Sequence, residues 1–237
     1  EVLNAMNYID AHVHIWTPNT QRYPLALGRN ESQMDPPSFT AEQLQEHMRP
    51  CGVNRVVLIQ MSFYGYDNSY MLDAIRQYPG MFSGVAIIDE GAEGLDGYMA
   101  ELKSQGVRGF RIHPKGSDVE HWLDSDGLRT MFRVGAEQQM AMCCLIGPES
   151  LPALDRMCDA FPDTPVVIDH ICRIGISGQI HPDDVKRLCD MTRHENVTVK
   201  ISAFYALGEQ KAPYHDLAPL IKQVYDAFGP QRLMWAT

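Results

Sequence analysis

Residues 8–16 read Tyr8-Ile9-Asp10-Ala11-His12-Val13-His14-Ile15-Trp16. A period of two sets Ile9, Ala11, Val13 and Ile15 on one face of a strand and Asp10, His12 and His14 on the other. Both imidazoles then lie on the same side of a sheet, where they can converge on one ion or one substrate. The plain alternative is an edge strand whose solvated face happens to carry histidines. The apolar second face suits the first strand of a barrel at least as well. His12 and His14 then fall at the carboxyl end, where such folds keep their chemistry.

The stretch that follows decides between these. Residues 17–39 hold Pro18, Pro24, Pro36 and Pro37 among polar residues, with Tyr23 and Leu25 as anchors, and a loop of this length reads as a lid. Thr40-Ala41-Glu42-Gln43 is a capping-box pattern opening a first helix to about Arg49, closed by Gly52. Strands are expected at Val53–Gln60, Phe82–Ile88, Val107–His113, Met140–Ile146, Pro165–His170, Val197–Ser202 and from Leu233 to Trp235. Between them, helices are expected at about Ser69–Gln77, Leu95–Ser104, Gly127–Gln138, Ser150–Phe161, Pro182–Thr192 and Leu217–Phe228. Short apolar strands alternating with longer amphipathic helices mean a parallel sheet with helical crossovers. An open doubly wound sheet would want a glycine-rich phosphate loop after its first strand, and His12-Val13-His14 stands there instead. The expected fold is α/β, a (β/α)8 TIM barrel in a single domain over residues 1–237. It reads as cut off within or just after strand 8, without the helix that would cover it. Residues 1–5 read as an appended segment ahead of a native start at Met6.

A chain of 237 residues with 45% hydrophobic content can build one large core. Net charge is -10, from 30 acidic and 20 basic residues with no basic run, which argues against nucleic acid as a partner. No apolar run reaches membrane-spanning length and no signal-peptide pattern appears. Cys51, Cys143, Cys144, Cys158, Cys172 and Cys189 form no Cys-x-x-Cys pair and read as free thiols of a reducing, cytoplasmic compartment. Asn196-Val197-Thr198 fits the glycosylation pattern but opens an expected buried strand, so it is set aside.

Strand 6 runs Val166-Val167-Ile168-Asp169-His170, and alternation puts Val166, Ile168 and His170 on one face. His170 alone fits a hydrogen-bonded core residue as well as a ligand. With His12 and His14 it makes an imidazole triad of the kind that holds zinc or a related divalent metal, often completed by a carboxylate. On strand 4, Arg111 and His113 share a face. A buried arginine needs an anion to offset its desolvation. Either Asp10 or Asp89 supplies it, or a substrate carboxylate does, gripped at two points. His113 ends its strand beside a long loop, a position that favours function. Lys200, beside Ser202 on strand 7, either pairs with an acidic neighbour or touches substrate, and Arg173 is equally open. Trp16, Tyr64, Tyr66, His121, Trp122 and Tyr205 sit in loops after strands, as pocket walls or packing anchors.

The His-x-His strand, the Val-Ile-Asp-His strand and the closing Arg-Leu-Met-Trp-Ala-Thr together resemble the amidohydrolase superfamily, in its "amidohydrolase 2" branch of metal-dependent hydrolases, decarboxylases and lactonases. The similarity runs from Tyr8 to Thr237. It implies that His12 and His14 form the strand 1 metal or substrate pair and that His170 is the strand 6 histidine. It further implies a strand 8 aspartate as general base, which would fall at position 238. The family's commoner metal pattern also wants a His or modified Lys on strand 4 or 5, and strand 5 has no histidine. That argues against a tight binuclear site and leaves one divalent metal or a metal-free site. Cys143 or Cys144 as a replacement ligand is disfavoured, since adjacent cysteines in an apolar strand usually serve the core.

The expected activity is hydrolysis of a small cyclic ester or amide, carboxylate-bearing, by activated water at the carboxyl mouth of the barrel. A metal would acidify the water and polarise the carbonyl. Without one, His12, His14 and His170 would donate to the developing oxyanion. Arg111, joined by Arg173, would hold the substrate carboxylate, and His113 is a further catalytic candidate. No serine elbow or paired cysteine nucleophile supports a covalent route. The alternatives are a metal-dependent decarboxylase of an aromatic acid and a non-catalytic ligand-binding barrel. The expected partner is a small molecule, with no membrane or nucleic acid; a homo-oligomer is left open.

Overall fold

A computed structural model describes residues 7–237, so the reading of residues 1–5 and Met6 lies outside the described residues. The eight strands are β1 (Tyr8–Val13), β2 (Val53–Ile59), β3 (Phe82–Ala86), β4 (Val107–Ile112), β5 (Ala141–Cys144), β6 (Val166–Ile168), β7 (Val197–Ile201) and β8 (Leu233–Trp235). They form one sheet in the order β1 to β8, with the recorded pairs parallel. Helices α1 (Ala41–Met48), α2 (Ser69–Gln77), α3 (Leu95–Ser104), α4 (Asp126–Gln138), α5 (Leu151–Ala160), α6 (Pro182–Asp190) and α7 (Ala218–Phe228) alternate with the strands. Sequential parallel strands joined by helices are the (β/α)8 barrel class. Among the described residues, no helix is long and apolar enough to cross a membrane.

The chain divides into two compact units. The first takes in residues up to Asp89, Gly97–Arg111 and Thr237. Its helix α1 begins as expected: Thr40 accepts from the Gln43 N–H, and the Gln43 side chain accepts from the Thr40 N–H. Helix α2 buries Met71, Ala74 and Ile75. Gly84 of β3 lets that helix come close, because a Cβ there would sit 3.0 Å from both Ile75 Cδ1 and Met71 Cε. The long segment after β1 is tied down where Trp16 bridges Phe39 and Trp16 Nε1 donates to the Pro36 carbonyl at 2.8 Å. Tyr23 is buried in it and donates to Asp73, as an anchor should, whereas Leu25 is only half-buried.

The second unit takes in Glu90–Asp96 and Ile112–Ala236. Phe132, Met142, Leu154, Ile168 and Val199 are fully buried there, so strands and helices contribute to one apolar interior. Helix α4 starts one residue earlier than expected because Ser125 caps it, accepting from the Leu128 N–H. Asn196 donates to the Thr164 carbonyl at 2.7 Å, a packing role in keeping with setting its glycosylation pattern aside. All six cysteines are free, four of them buried.

One departure bears on the site. Strand β6 stops at Ile168, two residues short of His170. His170, Ile171, Cys172 and Arg173 all have φ between 51° and 55°, a left-handed turn with no glycine in it. The extended alternation that grouped His170 with Val166 and Ile168 therefore ends before it reaches the histidine.

Candidate active site

In the first unit, burial on β1 follows the polar face at Asp10 and His12, both nearly inaccessible, while Ile9 is 43% exposed. The apolar face is thus covered only from Ala11 onward. His14 follows the strand, half-buried, and its Nδ1 lies 2.9 Å from the Ile59 carbonyl at the end of β2. A carbonyl can only accept, so His14 Nδ1 carries the proton and its Nε2 is a lone pair. That Nε2 is 3.3 Å from His12 Nε2, and the two rings stand edge to face. The strand therefore brings both imidazoles to one point, as the period of two predicts.

Asp10 supports this arrangement from behind. One carboxylate oxygen accepts from the His12 N–H at 3.0 Å, and the carboxylate also takes the Thr237 N–H at 3.2 Å and hydroxyl at 2.7 Å. Arg111, on β4, brings Nη2 to 3.5 Å from His12 Nε2. A guanidinium beside two imidazoles makes a strongly donating cluster, fitted to an anion or to a carbonyl gaining negative charge.

In the second unit, Asp169 is fully buried and Lys200 nearly so, and Lys200 Nζ lies 3.0 Å from Asp169 Oδ1. Of the two readings for Lys200, the acidic neighbour is the one realised. His170, next along, places Nδ1 2.8 Å from Ser202 Oγ. Each non-glycine residue in a left-handed conformation costs roughly 1–2 kcal/mol, and such strain persists only where surrounding contacts hold it. The Asp169–Lys200 pair and the Ser202 contact are two such contacts. Asp169 went unassigned in the sequence because an extended strand turns it away from His170's face. The signal that could have found it is the Lys200 two residues before Ser202.

His113 is exposed, with Nδ1 3.1 Å from the Pro114 carbonyl. It lines a cleft of about 340 Å³ in the second unit, together with Leu145, Ile146, Glu149 and Arg173. Tyr64 and Trp122 are buried, Tyr64 accepting from the Thr17 N–H and Trp122 donating to the Ser150 carbonyl, so both act as packing anchors. Tyr66 and Tyr205 are exposed. Burial pushes the Cys144 and Cys172 thiols well above their ordinary range, which keeps them protonated and disfavours either as a ligand.

Among curated proteins, the chain is 28% identical over 239 residues to the "2-pyrone-4,6-dicarbaxylate hydrolase" of Comamonas testosteroni, covering 97% of this chain and 75% of that protein. It is 26% identical over 230 residues to the 4-sulfomuconolactone hydrolase of Rhizobium radiobacter, covering 96% and 74%. Among solved structures, a probable 2-pyrone-4,6-dicarboxylic acid hydrolase from Acinetobacter baumannii with citric acid bound superposes with a TM-score of 0.77. Its identity is 25%, and the match covers 98% of this chain and 84% of that one. The family model described as Amidohydrolase matches residues 9–237, taking in all but the first residue of the eight strands. The chain belongs to the amidohydrolase family, in its amidohydrolase 2 branch, and is a hydrolase of that type.

Proposed function

We propose that the protein opens a small lactone that carries at least one carboxylate, by attack of water on the ring carbonyl. The observation that carries this reading is the grouping of Arg111 with His12 and His14. Arg111 offers planar donors for a carboxylate, and the imidazoles offer polarisation of a carbonyl beside it. The two hydrolases named above act on ring esters bearing acidic groups, by their names, and the Acinetobacter relative holds a polycarboxylic acid. His113, His170 and Arg173 are further candidate site residues, all in the second unit.

The donor set suits a divalent ion. His14 presents an Nε2 lone pair, and the 3.3 Å between the two Nε2 atoms allows both to reach one ion at Zn–N distances of about 2.0–2.1 Å. Within the first unit, His12 and His14 would hold it through their Nε2 atoms. When bound, such an ion acidifies water and polarises a carbonyl. The side chains have work of their own in either case. Arg111 orients the substrate by its carboxylate, and Asp10 holds the His12 backbone in place. The His12 ring, rather than His14 whose proton is taken by the Ile59 carbonyl, donates to the carbonyl oxygen as its charge grows.

The test is an assay with ring esters that differ only in the number of carboxylates. Proton release on ring opening is the readout. Arg111→Lys should raise KM for the carboxylated substrate far more than it lowers kcat, with kcat/KM falling roughly 10–150-fold, the equivalent of about 1.5–3 kcal/mol for a hydrogen bond to a charged group. Uncharged lactones opened as fast as carboxylated ones would remove Arg111 from the substrate. Carbon dioxide released from aromatic acids, with no ring opened, would make the protein a decarboxylase instead.

A further inference from the structure

The left-handed turn at His170 poses a question that the catalytic reading leaves open: what makes this histidine face one way and carry its proton on one nitrogen? Strand β7 lies parallel beside β6 in the register Val166↔Val197, Val167↔Thr198 and Ile168↔Val199. Carried one step further, that register brings Lys200 alongside Asp169, where the 3.0 Å ion pair forms. Ser202 lies two residues beyond Lys200, on the same side of the strand, and meets the His170 ring. Two consecutive residues of the turn are therefore each fastened to the same neighbouring strand.

Both fastenings are shielded from water. Asp169 and Ser202 are 0% exposed and Lys200 is 2% exposed. Among the described residues, the acceptor within reach of the Ser202 hydroxyl is His170 Nδ1. A hydroxyl shut away from solvent has to give its proton to something, because an unsatisfied buried donor is costly. If Nδ1 carried a proton and donated to Oγ, the Ser202 hydrogen would be left facing the protein interior. Donation from Ser202 to Nδ1 satisfies both partners, and it places the ring proton on Nε2.

We propose that β7 is a two-point clamp on His170: Lys200 holds the turn through Asp169, and Ser202 donates to Nδ1 so that the ring presents Nε2–H. Lys200 and Ser202 are positioning residues in this scheme, acting through His170. The importance of the clamp for turnover rests on the proposed lactone opening; the clamp itself rests only on the contacts within the second unit.

The experiment is a long-range proton–nitrogen correlation spectrum of the full chain labelled with nitrogen-15 in its histidines, at a pH where the ring is neutral. The His170 signals are identified by their loss in His170→Asn. The expected pattern has Nδ1 in the unprotonated region and Nε2 in the protonated region. Ser202→Ala should blur it toward a mixture of tautomers, and Ser202→Thr, which keeps the hydroxyl, should restore it. A protonated Nδ1 in the parent protein, or an unchanged pattern in Ser202→Ala, would overturn the proposal. The double variant Asp169→Asn/Lys200→Met removes both buried charges and tests the other point. It should split or broaden the His170 signals while other histidines stay sharp, and a single sharp unshifted set would overturn that part. The two readings fail separately. A confirmed tautomer in a protein that opens no lactone defeats the function and leaves the clamp, whereas lactone opening with an Ser202-independent tautomer does the reverse.

Discussion

Asp169 and Lys200 are out of reach of solvent, so each charge helps to offset the desolvation of the other. Removing one partner takes a buried counter-charge away from the other. Lys200→Met should therefore cost about 3–5 kcal/mol, read as a lowered denaturant midpoint. The double variant Asp169→Asn/Lys200→Met should recover most of that loss, since both charges of the buried pair are then gone. A double variant no better than the single one would show that the pair stabilises through packing. The same two residues mark where the sequence was hard to read. Alternation located His12 and His14 because β1 is extended and their side chains obey a period of two. It failed at Asp169 because four left-handed residues follow, and no local pattern of Ile, Cys and Arg announces such a turn. The contacts that hold it come from β7, about 30 residues away, with sequence separations of 32 for His170 and Ser202.

At the scale of elements, helix starts were legible wherever a side chain closes on its own backbone. Thr40 and Gln43 satisfy two otherwise unpaired N–H groups within four residues, so no tertiary contact is needed to see it. Thr40→Ala should lower stability by about 1 kcal/mol, measured as a fall in melting temperature with activity retained. Strand ends were less legible. Strand β5 is Ala141–Cys144 rather than Met140–Ile146, and β6 stops at Ile168, because apolar runs continue past the last ladder hydrogen bond into buried loops. Arg111 falls between these cases. Its placement on a barrel strand was readable, whereas its approach to His12 depends on packing between strands that no single stretch encodes.

For the molecule as a whole, the surface is acidic and its response to pH turns on how those carboxylates are held. Arg193 hydrogen-bonds to Asp155 and keeps that carboxyl below its ordinary range, with His194 adding a second hydrogen bond. A carboxyl depressed in the folded state adds stability above its unfolded value of about 3.9 and loses it as pH falls through the folded value. Arg193→Met should therefore destabilise the protein at neutral pH and flatten the acid limb of a plot of urea midpoint against pH between about 5 and 2. Parallel acid limbs in the two proteins would place the sensitivity in other carboxylates. The link between Asp10 and Thr237 carries a different consequence. It joins residues 227 positions apart, at the two ends of the described chain. A ribosome adding about 5–20 residues per second needs on the order of 10–45 s to deliver the second partner after the first. Through that interval the strand bearing His12 and His14 is already made but lacks this fastening, so β1 has to wait for a residue 227 positions downstream before its Asp10 contacts are complete.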